Sequence, residues 1–208
     1  MRRGAALLGA AVLLGLAVVL ALLAFDVRSW DRTLAAGDAR FQADPAPAPR
    51  ELWETNELLP FEPARNLLEI DDDLKYRRGA RLFRLGRPRE PVLGFPRLPG
   101  FRAEAEAVLG GAVEDEADPV RKARILNLLG ILALARAAEE QVQTANLLRE
   151  SISIFRRAIV ADPGSEEAKT NLELVLRLRQ ERIQEEESAT RRPGEAERVG
   201  LGRPGSGY

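Results

Sequence analysis

The chain has 208 residues, with 31 basic against 32 acidic side chains, a net charge of −1, and neither cysteine nor histidine. Without cysteine there are no disulfides, thiolate metal sites or sulfur nucleophiles. Without histidine the commonest general base and metal ligand is missing, which excludes most zinc chemistry and the usual Ser-His and Cys-His hydrolases. No basic excess points to nucleic acid.

Gly4 to Phe25 is a run of 22 residues made of Ala, Leu, Val and Gly with one Phe, and it contains no charged group. As a helix it spans about 33 Å, enough for a hydrocarbon core of about 30 Å. A helix is also the form in which a single segment satisfies its own backbone in lipid. Residues 1–3 form a short tail ahead of this span, with Arg2 and Arg3 before it and Asp26 closing it. The competing reading is a cleaved signal peptide, but a signal h-region is about 7–15 residues long and ends in a small-x-small site. This run is longer and ends Leu22-Leu23-Ala24-Phe25-Asp26.

Arg2 and Arg3 crowd one flank, while Arg28, Arg32 and Arg40 are spread along the other. Counting Lys and Arg nearly ties the two sides. The denser charge before the span favours the N-terminus inside and the rest of the chain on the extracytoplasmic side. Within the span, Ala6-xxx-Ala10 and Ala11-xxx-Gly15 permit close helix packing, so a homo-oligomer stays open.

Over residues 26–44, Trp30, Leu34, Gly37 and Phe41 recur at helical spacing and predict an amphipathic continuation of the helix, ending at Asp44-Pro45. Pro45, Pro47 and Pro49 mark residues 45–50 as a stiff extended linker. From here the sequence reads as one helical domain over residues 51–187. Residues 51–63 hold Leu52, Trp53, Leu58, Leu59 and Phe61 with two prolines, and are read as irregular or one short helix packing its apolar side chains inward.

A longer helix is expected over residues 64–85, broken near Asp71, with Asp71-Asp72-Asp73 capping the start of its second part. Pro88, Pro91, Pro96 and Pro99 make residues 86–100 a loop. Four helices follow. The first runs over residues 101–114, with Ala105, Val108, Leu109 and Ala112 on one face. A second opens at Asp118-Pro119, proline suiting a first turn, and carries Ile125, Leu128, Leu129, Leu132 and Leu134. A third covers residues 146–161, with Leu148, Ile152, Phe155 and Ile159, and stops at Asp162-Pro163-Gly164. The last starts at Ser165, with Leu172, Val175, Leu176 and Ile183 facing inward. Residues 188–208 lose their apolar side chains and read as a disordered tail. No strand pattern competes, so the fold class is all-α.

Alternating helices joined by short turns suggest stacked helical hairpins. Ser151, Phe155, Ala158 and Pro163 match the second helix and exit turn of a tetratricopeptide repeat: a small residue, an aromatic four later, alanine three after that, and proline five beyond. The following helix, with Asn171-Leu172-Glu173-Leu174, resembles the first helix of a next repeat whose partner is absent, which makes it a capping helix. The resemblance covers residues 123–179; the Trp, Gly and Tyr of a first helix are not found in register. Lys75, Lys122 and Lys169 fall 47 residues apart, each early in a first helix, which suits three long hairpins or coincidence. The chain is also similar to membrane-anchored tetratricopeptide proteins that accompany MoxR-type ATPases and von Willebrand A-domain proteins in bacterial envelopes. That resemblance implies a scaffold or accessory role. Three lysines against 28 arginines fit a GC-rich bacterial genome.

No residue stands out as catalytic, and no cofactor or metal is expected. A calcium loop needs oxygen ligands spread over about twelve residues, unlike the Asp71–Asp73 cluster. Leu109-Gly110-Gly111 lacks the lysine of a phosphate loop. Trp53, Phe61, Phe83 and Phe101 are most simply core and loop anchors, or more sharply the wall of a peptide groove. Arg77, Arg78, Arg81, Arg84, Arg87 and Arg89 are a solvated helix face or a contact with anionic lipid.

The reading is therefore an all-α, single-pass membrane protein with degenerate tetratricopeptide-like hairpins. It acts as a non-enzymatic module for binding protein partners, held in the membrane by residues 4–25. Two alternatives remain: a structural subunit of a membrane complex with a non-repeat helical domain, or a secreted helical protein after signal cleavage.

Overall fold

The computed structural model describes residues 2–43, 52–87, 98–140 and 143–191. The linker expected at 45–50 lies outside the described residues, as does most of the 86–100 loop. Among the described residues every regular element is a helix, and the chain divides into two compact units, Met1–Ala117 and Asp118–Tyr208. The single 51–187 domain of the sequence reading spans this division.

The first unit begins with α1 (Arg2–Ala43), 42 residues without a break. It is long and apolar enough to cross a membrane. From Gly9 to Ala21 its side chains are exposed, and burial begins in earnest at Asp26, Trp30, Gly37 and Phe41. Those four follow the helical period, so one stripe of α1 serves as a packing face after the apolar run stops.

The chain returns to that stripe beyond the linker. Leu52 and Trp53 bury themselves against Phe41, the two aromatic rings meeting edge to face at 5.7 Å. Trp53 also closes over Gly37, where a Cβ would lie 2.4 Å from its ring. Asp26 is buried and accepts hydrogen bonds from the backbone N–H of Leu58 at 2.9 Å and Leu59 at 3.0 Å. Glu57 accepts from the Trp30 indole at 2.7 Å and from the N–H groups of Ala64 and Arg65. The expected inward packing holds for Leu52 and Trp53 but fails for Leu58 and Phe61, which are 59% and 91% exposed.

The helix expected over 64–85 is interrupted. α2 (Pro63–Leu67) and α3 (Ile70–Leu85) flank Leu68 and Glu69, and Glu69 takes a left-handed φ of 50° that no helix continues through. The three aspartates do occupy the first turn of α3, where they complement its dipole. No side chain caps α3, however. Each aspartate instead bonds a cation: Asp71 to Arg65, Asp72 to Lys75, and Asp73 to Arg77. α4 (Leu98–Asp115) packs on α3, with Leu109 set against Gly79 so closely that a Cβ there would meet its side chain at 2.4 Å. Leu109-Gly110-Gly111 thus lies inside α4, short of its end at Asp115.

The second unit holds α5 (Pro119–Glu139), α6 (Thr144–Ala161) and α7 (Glu166–Arg191). Asp118 caps α5 by accepting from Val120 N–H at 2.9 Å, with Pro119 in the first turn. α6 starts two residues ahead of the expected Asn146. Its core of Leu147, Leu148, Ile152 and Phe155 meets Ala137 and Val175 from the flanking helices. α7 runs on through Ser188 to Arg191, past the expected onset of the tail, and residues 192–208 lie outside the described residues. Leu172 and Val175 face the core as expected, whereas Leu176 and Ile183 are exposed.

Candidate functional site

The residues that carried the repeat resemblance come together in the second unit. Ser151, Phe155 and Ala158 lie on the buried face of α6, all three without solvent exposure. Asn171 and Leu172 are half-buried on α7, and Pro163 sits exposed in the turn between the two helices. Phe155 presses on Gly130 of α5, where an added Cβ would stand 2.6 Å from the ring. Ser151 Oγ donates to the Gly130 carbonyl at 2.9 Å. A glycine on one helix, with a small hydroxyl and an aromatic on the other, lets α5 and α6 approach to backbone contact.

A polar pair then ties α7 to α5. Asn171 Nδ2 donates to Oδ1 of the buried Asn127 at 2.8 Å, and Asn127 Nδ2 reaches Glu167 at 3.4 Å. Buried amides need such partners, since an unpaired one costs about 1–3 kcal/mol.

On the outer side of α6 lies a groove of about 630 Å³. It is lined by Leu126, Ile152 and Val160 together with Lys122, Arg149, Arg156, Arg157 and Arg179. Among the described residues no carboxylate lines it. Arg156, Arg157 and Arg179 pair with no acid among the described residues. Val160, at 82% exposure, is an apolar side chain held among these cations. The combination suits a ligand that is both apolar and anionic.

The first unit has its own cavity of about 610 Å³, lined by two of the aromatics singled out from sequence, Trp53 and Phe101, with Leu74, Leu82 and Leu85. Phe83 is buried beneath the Arg87 guanidinium at 4.8 Å and does not line it; nor does the exposed Phe61. The walls mix Arg65, Lys75, Arg78 and Arg81 with Glu54, Asp71 and Glu104, so opposite charges largely offset one another.

Of the arginine-rich stretch on α3, Arg77 and Arg84 turn partly inward, whereas Arg78 stays exposed as a solvated face would have it. Arg77 bonds Asp38 and Asp73, Arg78 reaches Glu104 at 3.4 Å, and Arg84 stacks on Phe41 at 4.7 Å. Burial works against the charge on Arg77, yet its hydrogen bonds to Asp38 and Asp73 more than offset this and raise its pKa. Arg65 is also raised, chiefly by its hydrogen bond to Asp71. Arg89 lies outside the described residues. Among the described residues no three acidic side chains converge as metal ligands.

Sequence reasoning missed Gly130, Asn127 and the cations of the groove. A signal for Asn127 was present. Asp118-Pro119 and Asn127-Leu128 recur 44 residues later as Asp162-Pro163 and Asn171-Leu172, and the two asparagines are the pair that touch. Arg149, Ser153, Arg156, Arg157 and Val160 recur at three- and four-residue steps, the mark of one helix face. Comparison with family models, curated proteins and solved structures gives no match to this chain.

Proposed function

We propose that this protein is a membrane-anchored, non-catalytic interaction module, and that the groove on α6 receives an acidic, partly apolar segment of a partner protein. The observation that carries this is the groove itself: Leu126, Ile152 and Val160 beside five cations, of which Arg156, Arg157 and Arg179 pair with no acid among the described residues. Such a surface attracts an acidic chain at long range and holds it by burying apolar side chains.

Two further features support the reading. The apolar part of α1 exposes Val12, Leu13, Leu14 and Leu16 with nothing packed on them, a cost in water that a bilayer removes. The contact of Gly130 on α5 with Phe155 and Ser151 on α6 supports reading this hairpin as a degenerate tetratricopeptide-like unit. The first-helix pattern Trp-x2-Leu-Gly-x2-Tyr falls on Leu126, Leu129, Gly130 and Ala133, with leucine and alanine replacing the two large aromatics. In this reading α7 is the capping helix, and the protein serves as an accessory of a bacterial envelope system on its extracytoplasmic side.

Binding of two fluorescent peptides to the full chain in detergent tests the groove: one alternating Glu and Leu, the other Lys and Leu. The Glu peptide is expected to bind, to weaken with salt, and to lose most of its affinity in an Arg156→Glu, Arg157→Glu double variant. Equal binding of both peptides refutes the acidic ligand. A photocrosslinker at the exposed Ser153, used in the native membrane, is expected to give discrete protein adducts containing an ATPase or von Willebrand-type partner. Adducts only to lipid refute the module.

A further inference from the structure

Leu58, Phe61 and Leu67 are large apolar side chains left in the open on the first unit, although their neighbours Leu52 and Trp53 are buried. An exposed apolar patch of this kind marks a binding surface, and its place in the fold identifies the occupant. We propose that residues 58–68 form a second membrane contact, an apolar patch seated in the interfacial layer of the bilayer that α1 crosses. The proposal rests on the reading of α1 as a membrane anchor.

Depth is the first argument. Asp26 ends the apolar run, and its carboxylate holds the N–H groups of Leu58 and Leu59. That pins the segment at the level where the span leaves hydrocarbon. Leu23, one turn earlier on α1, packs on the cluster of Trp30, Ala64 and Ile70. At about 1.5 Å per residue, Leu23 lies roughly 4–5 Å on the membrane side of Asp26 and Trp30 roughly 6 Å beyond it, so the cluster that Ala64 and Ile70 form with Trp30 sits beside the end of the apolar run. The polar layer of a bilayer is about 5–7 Å thick on each side, which brings the segment within it. Phe61 is three residues from Leu58 and therefore within about 10 Å of the pinned level.

Backbone conformation is the second argument. Phe61 and Glu62 both take left-handed φ values, 70° and 48°, a region that side-chain-bearing residues rarely occupy. Strain of this kind persists where the surroundings hold it, and it gathers at functional segments. Here it keeps the phenyl ring directed away from the core. A strained backbone that presents a ring to water gains nothing, whereas one that presents it to the acyl-chain boundary does.

The surroundings complete the layer. Phe25 is exposed on α1 at the same level. Arg28 and Arg32, also exposed, stand roughly 3 and 9 Å beyond Asp26 along the helix, where lipid phosphates lie. Arg65, within the patch, is neutralised by Glu62 at 3.1 Å and Asp71 at 2.6 Å. The span and the patch together would fix the tilt of the first unit on the membrane, which a single helix by itself leaves free.

The absence of native cysteine makes the test direct. Single spin labels are placed at Leu16→Cys, Phe61→Cys, Leu67→Cys and Ala39→Cys of the full chain, reconstituted in vesicles of mixed phosphatidylcholine and phosphatidylglycerol. Collision with oxygen, which partitions into lipid, is compared with collision with a water-soluble nickel chelate. Ala39 is exposed and about 20 Å beyond Asp26 along α1, so it reports the aqueous phase. The labels at Phe61→Cys and Leu67→Cys are expected to give oxygen-to-nickel ratios several-fold above Ala39→Cys and below Leu16→Cys. If both match Ala39→Cys while Leu16→Cys reads as lipid, the patch is in water and the proposal fails with the anchor intact. If both are shielded from oxygen and nickel alike, a protein covers the patch and the proposal fails. If Leu16→Cys reads as water, the anchor itself is wrong.

Discussion

Replacing Gly130 with alanine sets two effects against each other, and the structure decides between them. Alanine in mid-helix is favoured over glycine by about 0.5–1 kcal/mol, because glycine loses more backbone freedom on folding. Against this, the new Cβ would lie 2.6 Å from Phe155 Cε1 and 2.8 Å from both Cδ1 and Cζ. Carbon atoms rest at about 3.5–4.0 Å, so the ring has to retreat by roughly 1 Å.

It has nowhere to go. Phe155 is fully buried in the core with Leu148, Ile152 and Val175, and the Gly130 backbone is held by Ser151. Overpacking of this kind costs about 1–3 kcal/mol, which outweighs the propensity gain. The expected result is a net loss of about 1–2 kcal/mol. For a unit of about 60–100 residues that lowers the melting temperature by roughly 4–8 °C per kcal/mol. Far-UV circular dichroism of the full chain in detergent reads it. Pairing Gly130→Ala with Phe155→Leu should recover part of the loss, with a coupling of about 1 kcal/mol. A neutral or stabilising Gly130→Ala, or strict additivity in the double variant, refutes the close-packing argument.

Asp26→Ala removes the acceptor for the part-buried N–H groups of Leu58 and Leu59. The expected result is faster hydrogen exchange at Leu58 and Leu59 with α1 still helical; unchanged exchange would mean that water already serves those groups. Lys75 has its pKa raised above 10.5, first by its hydrogen bond to Asp72 and then by the charge of that carboxylate. Its pairing therefore supports the fold fully below 10.5 and is lost as pH rises through the higher folded value. In an NMR titration Asp72→Asn should bring the Lys75 midpoint back toward 10.5, and an unmoved midpoint would show that Asp72 is not the cause. The pair is exposed, so overall stability at neutral pH should scarcely change.

The amino-acid sequence alone determined the elements whose signals are local. The uncharged run before Phe25 makes a long apolar helix in any context, because nothing in it offers a polar face. Asp118-Pro119 starts a helix through one side-chain acceptor and one ring-fixed φ, and Asp162-Pro163-Gly164 stops one; both signals act within a few residues. Helical spacing likewise marked Trp30, Phe41, Leu109, Phe155 and Val175 as packing positions.

What the tertiary structure decided depends on residues far apart in the chain. Asp26 reads as the polar end of an apolar run until Leu58 and Leu59 are brought onto it from 32 and 33 positions away. The arginines of α3 read as a solvated basic face, yet their partners Asp38, Phe41 and Glu104 come from other helices. Gly130 reads as a helix weakener; only across the interface with Phe155 and Ser151 does its missing side chain become the condition for contact. The groove on α6 is legible in part, since Arg149, Arg156 and Arg157 share one helix face in the sequence, but Lys122 of α5 and Arg179 of α7 join them only when the three helices fold together. Periodicity specifies which face of a helix is apolar; what covers that face is set by contacts that no local pattern encodes.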